Sequence, residues 1–159
     1  MPKDENFLKA NNARHLWHPM AHPADMKANP PAIITGGKGV RITDVDGHEV
    51  VDGVGGLWNV NLGYSCEPVK AAIAAQLDRL PYYSIFRGTS NDAVIELSEE
   101  LKDFFAPDGL TRAFYTSGGG DSVETALRLA RQYHKIRGEA GRTKFLSLKK
   151  GYHGTHFGG

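Results

Sequence analysis

Residues 114–137, FYTSGGGDSVETALRLARQYHKIR, decide the reading of the fold. The β-branched and aromatic residues of 111–116 (TRAFYT) predict a strand that runs into Ser117, Gly118, Gly119 and Gly120, where the backbone is free to approach a ligand closely. From Asp121 onward the hydrophobic period changes from two to about 3.6. Val123, Ala126, Leu127, Ala130 and Tyr133 share one face of the expected helix, and Glu124 and Arg128 form an i,i+4 pair. Gly138 ends that helix in the C′ position.

A glycine turn feeding a helix start presents unpaired amide N–H groups and the positive end of the helix dipole, which suits a phosphate. The same three glycines could also do no more than make a tight connection, and the residues alone leave both readings open. The run is neither a GxGxxG dinucleotide fingerprint nor a GxxxxGK[ST] loop, so a phosphate held here belongs to another kind of ligand.

Composition narrows the field. The chain has 159 residues, 40% hydrophobic and 23% charged, as in an ordinary soluble globular protein. A net charge of +1 gives no case for a nucleic-acid or membrane-surface partner. The lone Cys66 cannot form an internal disulfide, which fits a reducing cytoplasm. No apolar run approaches the roughly 20 residues of a membrane span, and the N-terminus has no signal-peptide core. The ending KGYHGTHFGG directly follows an expected strand at 144–148, and it looks like a chain cut in mid-domain, since a parallel sheet needs further crossovers.

Along the rest of the chain, 4–16 reads as a short helix capped by Asp4 or Asn6. The proline-broken segment 15–31 is expected to be irregular, with Trp17, His18 and Met20 packed on the body of the protein or lining a pocket. Three strands at 32–35, 40–43 and 48–52 suggest a small antiparallel sheet, with turns at Gly36-Gly37 and Asp46-Gly47. Residues 53–64 carry Trp58 on a glycine-rich loop, either as packing or as a ligand wall. A helix at 67–80, capped by Ser65, is expected to bury Val69, Ile73, Leu77 and Leu80. The aromatic connection 81–89 needs cover from a core or a subunit contact. A helix at 92–105 is expected to turn Val94, Leu97, Leu101 and Phe104 inward before a turn at Pro107-Asp108-Gly109.

Three segments in this order and spacing, DGVGGLWNVNLGY, FYTSGGGDSVETALRLAR and KGYHGTHFGG, resemble the class III (ω-)aminotransferases, specifically the ω-amino acid:pyruvate group. The resemblance covers essentially the whole chain, as the first third of such an enzyme. It implies an α/β protein of the pyridoxal 5′-phosphate-dependent transferase fold type I, aspartate-aminotransferase-like. Residues 1–60 would belong to its small domain, and 61–159 would begin the large one. A homodimer or dimer of dimers with active sites between subunits is also implied.

By the same resemblance, Gly118, Gly119 and Gly120 bind the cofactor phosphate, Tyr152 stacks on the pyridine ring and His153 sits against it. Trp58 and Met20 wall the substrate pocket, and Phe86 with Arg87 lies in the stretch reaching the partner's site. An aromatic face over the ring contributes roughly 0.5 to 1.5 kcal/mol. The implied substrates are an amine donor and pyruvate. The lysine that carries the cofactor, the aspartate at the pyridine nitrogen and the substrate-reading arginine lie beyond residue 159 in the family. No catalytic residue is therefore assigned within this chain, which needs the remainder of the enzyme.

One departure stands out. The family usually reads Ser-Gly-Ser before the acidic residue, and Gly120 lacks the hydroxyl that would bond the phosphate. Such a bond is worth about 1.5 to 3 kcal/mol, so looser cofactor binding is expected, by roughly 10- to 150-fold.

Two alternatives compete. A metal site from His15, His18 and His22 is disfavoured because Pro19 and Pro23 break the helix that would converge them, so no metal is expected. A non-catalytic phosphate- or nucleotide-binding module could use the same glycine turn.

Overall fold

Asp4 accepts a hydrogen bond from the Phe7 amide at 2.8 Å, and from this cap helix α1 (Glu5–His15) runs as the sequence predicts. The computed structural model describes residues 4–158, which divide after Tyr82 into two units.

In the first unit the proline-broken segment is more regular than expected. Pro23 takes the first position of a short helix, α2 (Pro23–Ala28), where its missing N–H is tolerated, and His22 caps that helix. Met26 of α2 is the one buried hydrophobic side chain among the described residues, at 5% exposure. Met20, in contrast, is 97% exposed, and Trp17 is exposed while donating its indole N–H to Ala21 O. Neither side chain is packed on the body of the protein, while Trp17 lines a cavity with Ala13, Leu16, Pro23 and Met26.

Strands β1 (Ile34–Lys38), β2 (Arg41–Asp44) and β3 (Glu49–Val51) form an antiparallel sheet in sequence order. Gly36 pairs with Thr43 and Gly37 with Ile42, so both glycines are strand residues and the expected turn there is wrong. The chain turns instead at Gly39, whose φ of +56° favours glycine. What Gly37 supplies is room: a Cβ there would lie 2.7 Å from Cγ of Tyr64. The second turn is as expected, with Gly47 at φ +84° and the Asp44 carboxylate accepting the amides of Asp46 and His48.

After β3 comes a four-residue turn, α3 (Gly55–Trp58), and then α4 (Glu67–Arg79). Ser65 does not cap α4, which starts after Cys66; its hydroxyl accepts the Gly39 amide at 2.9 Å and so ties down the first sheet turn. The expected buried stripe of α4 is also corrected. Val69, Ile73 and Leu77 are exposed, because no helix or strand among the described residues packs on that face.

In the second unit, the part of the aromatic connection that follows Tyr82 stays exposed at Tyr83 and Phe86. Asn91 caps α5 (Asp92–Phe104), which half-buries Val94 and Leu101 but leaves Leu97 and Phe104 exposed. A 3₁₀ turn (Ala106–Asp108) ends at Gly109, as the Pro-Asp-Gly signal implies. Neither 111–116 nor 144–148 forms a strand, because neither has a hydrogen-bonded neighbour among the described residues. Tyr115 nonetheless docks its segment on α5 through Ser98, hydroxyl to hydroxyl at 2.9 Å. Helix α6 (Gly119–Ile136) starts two residues earlier than the periodicity suggests. It ends at Gly138, φ +80°, with Glu139 N donating to His134 O.

Candidate functional site

The glycine turn sits at the head of α6. Gly118 is extended (φ −178°, ψ 173°) and offers no side-chain cap, and the first amide to close back on it is that of Ser122, at 3.1 Å from Gly118 O. The amides of Gly119, Gly120 and Asp121 precede that closure and lack helical carbonyl partners by position. The Thr116 and Ser122 hydroxyls lie 2.6 Å apart, each within hydrogen-bond reach of Gly118 O, and they fix the turn from below.

The end of the chain folds back over this helix start. His156 Nε2 lies 3.1 Å from Asp121 Oδ1, and the Gly158 amide donates to Glu124 Oε2 at 2.9 Å. Arg128, foremost, and then the Gly158 amide hold the Glu124 carboxyl below its ordinary range. A Cβ on Gly120 would lie 2.5 Å from His156 Nδ1, so the imidazole occupies the room a side chain at 120 would need. At Gly118 and Gly119 a Cβ would meet nothing within 4 Å. Tyr152, 74% exposed, and His153 belong to the same segment, and His153 Nε2 turns towards Gly151. The second unit therefore brings together the two motifs expected at the cofactor, and it also contains Phe86 and Arg87 on the exposed 81–89 connection.

Trp58 and Met20 lie in the first unit. Trp58 ends α3, whose four residues are all left-handed: φ is +58° at Gly55, +60° at Gly56, +64° at Leu57 and +66° at Trp58. Trp58 N donates to Val54 O and Asn59 N to Gly55 O, one complete turn of left-handed helix. Asp52 holds its entrance. Its carboxylate accepts the Val54 amide at 3.1 Å, the Gly56 amide at 2.7 Å and the Tyr64 hydroxyl at 2.5 Å. The Tyr64 hydroxyl first, then the Gly56 amide, keep Asp52 below the usual carboxylate range, and the carboxylate in turn raises the Tyr64 phenol. Sequence reading missed Asp52, Tyr64, Asp121 and His156. For Asp52 a signal existed, an aspartate followed by glycines at 53, 55 and 56, which is the pattern of a side chain collecting local amides.

The head of α6 fits the phosphate of pyridoxal phosphate on its open side. Three leading amides and uncovered space at Gly118 and Gly119 can take a dianion, while Asp121, the one carboxylate in the first turn, is paired with His156.

Comparison with known proteins agrees with this chemistry. Residues 23–159 match the model of the family described as aminotransferase class-III. The chain is 35% identical to an adenosylmethionine-8-amino-7-oxononanoate aminotransferase of Methanocaldococcus jannaschii, over 98% of this chain and 33% of that protein. It is also 35% identical to a putrescine–pyruvate aminotransferase of Pseudomonas aeruginosa, over 91% of this chain and 32% of that protein. Among solved structures, an amine transaminase from an uncultivated Pseudomonas species, in its PLP-bound form, superposes with TM-score 0.87 at 51% identity, covering 92% of this chain and 33% of that one. An (S)-enantioselective ω-transaminase from Thermomicrobium roseum superposes with TM-score 0.93 at 33% identity, covering 99% and 35%. The fold is thus that of the pyridoxal-phosphate transaminases, fold type I, and the chain spans about a third of the length of the curated relatives it matches.

Proposed function

The chain belongs to the class-III aminotransferases, and on that premise we propose that it supplies the cofactor-phosphate turn and part of the substrate wall of an enzyme moving an amino group from an ω-amine or ω-amino acid to pyruvate, giving alanine. The observation that carries this reading is the folding of residues 154–158 against the helix start at Gly120, Asp121 and Glu124, which joins two of the three motifs and leaves Gly118 and Gly119 uncovered. The putrescine–pyruvate relative and the ω-transaminase neighbour support the choice of donor and acceptor.

Within this reading Gly118, Gly119 and Gly120 receive the phosphate through backbone amides, Tyr152 offers its ring face and His153 flanks it. When bound, pyridoxal phosphate supplies an electron-poor ring that takes up charge as the donor carbon loses its proton. Trp58 and Met20 wall the donor side and exclude water, and Phe86 with Arg87 reaches towards the neighbouring subunit's site in a homodimer. Residues 1–60 belong to the small domain and 61–159 open the large one. The enzyme works in the cytoplasm; among the described residues no helix is long and apolar enough to cross a membrane.

The test is acceptor choice in the full-length holoenzyme. With an arylalkylamine donor, alanine should accumulate from pyruvate far faster than glutamate accumulates from 2-oxoglutarate. A preference for 2-oxoglutarate would overturn the pyruvate assignment.

A further inference from the structure

We infer that Asp52 and Tyr64 are a positioning pair for Trp58 and thereby set which amine donors the pocket admits; this rests on the substrate-wall reading of Trp58 above. The starting observation is conformational. Four successive left-handed residues, two of them the non-glycines Leu57 and Trp58, form a turn that L-residues do not hold unaided. Such a turn persists only where its surroundings over-determine it. Here the surroundings are few and identifiable. Asp52 grips the turn at two amides, those of Val54 and Gly56, and its own carbonyl accepts the Gly55 amide at 3.3 Å.

Tyr64 connects that grip to the sheet. Its ring lies where a side chain of Gly37 in β1 would stand, its amide donates to Gly39 O at 2.8 Å, and its hydroxyl donates to Asp52. The phenol is therefore a strut between β1 and the turn. Gly56 is closed in as well, since a Cβ there would lie 2.5 Å from Val60 Cγ2 and 3.4 Å from the Tyr64 hydroxyl. Trp58 is 79% exposed, so the backbone of the turn, more than packing, decides where its indole points. A change at Asp52 or Tyr64 moves the indole without touching substrate.

The experiment uses full-length holoenzyme and the variants Tyr64→Phe, Asp52→Asn and Trp58→Ala. Two quantities are read: the ratio of kcat/KM for phenylethylamine to that for β-alanine, and the fluorotryptophan NMR resonance of Trp58, assigned by its loss in Trp58→Phe. Tyr64→Phe keeps the ring and should still fold. It should shift the Trp58 resonance and change the donor ratio about tenfold, the lower end of what one hydrogen bond to a carboxylate is worth, with cofactor absorbance unaltered. Asp52→Asn should act in the same direction and more strongly. If Trp58→Ala changes the ratio while Tyr64→Phe and Asp52→Asn match the parent in both ratio and resonance, the positioning role is overturned and the wall reading survives. If Trp58→Ala leaves the ratio unaltered, the wall reading fails, and the resonance alone still reports whether the pair positions the indole.

Discussion

At Gly120 one absent hydroxyl and one nearby imidazole compete for the same space. Restoring a serine there places its Cβ 2.5 Å from His156 Nδ1, so the imidazole must swing away and give up Asp121. That contact is half exposed and worth at most about 1 kcal/mol, whereas a hydroxyl bonded to a phosphate dianion contributes about 1.5 to 3 kcal/mol. The larger effect decides, and Gly120→Ser should lower the dissociation constant for pyridoxal phosphate roughly tenfold, measured by absorbance titration of the full-length apoenzyme. An unchanged constant would mean that the phosphate does not reach position 120. A second residue-scale expectation concerns the Asp46-Gly47 hairpin. The Asp44 carboxylate raises the His48 imidazole, and His48, foremost, lowers Asp44. The histidine's share of stability is complete below the unfolded imidazole value of about 6.5 and is lost as pH rises through its higher folded value. The aspartate's share is present above about 3.9 and is lost as pH falls through its lower folded value. Between those limits the hairpin is tightest. NMR titration should place the His48 midpoint above the free-imidazole value, and Asp44→Asn should return it there.

At the scale of elements, the helices were legible because their signals are local. The Asp4 cap, the Glu124–Arg128 pair and Gly138 sit where the sequence puts them. Strands were less legible, since a strand exists only with a neighbour, and 111–116 and 144–148 have none among the described residues. Ser65 and Gly37 were misread for a related reason. Each serves a contact distant in sequence, Ser65 with Gly39 and Gly37 with Tyr64, so capping and turn rules could not see it. The handedness of α3 was hidden too, because glycine permits a left-handed turn without requiring one. That handedness gives an unusual expectation. Leu57→Gly should stabilise, because a left-handed non-glycine costs about 1 to 2 kcal/mol and the added backbone entropy of glycine takes back only about 0.5 to 1. A urea midpoint that falls, as it would in a right-handed helix interior, would contradict the left-handed assignment.

Across the whole chain, the family and its cofactor were legible from three motifs, and their spacing survives in a structure that superposes on solved transaminases. The site was legible in its parts: the glycine turn is where the sequence puts it, while the closure of 154–158 over it depends on His156, Asp121, Glu124 and Gly158, which local reading passes over. The uncovered face of α4 was predicted buried on periodicity, which reports that a face is apolar and not what lies against it; the 81–89 connection was expected to need cover from a core or a subunit contact because it is apolar, and within this chain it stays exposed. The central claim is that backbone amides at the head of α6 hold the cofactor phosphate, and a proline tests it most directly. Gly119 is the first helical residue, the extended Gly118 before it is compatible with a following proline, and the space beside Gly119 is open. Gly119→Pro therefore removes one donor and keeps the helix. The dissociation constant of pyridoxal phosphate for the full-length enzyme should rise about 10- to 150-fold with the unfolding temperature of the apoenzyme preserved; an affinity equal to the parent's would contradict the claim.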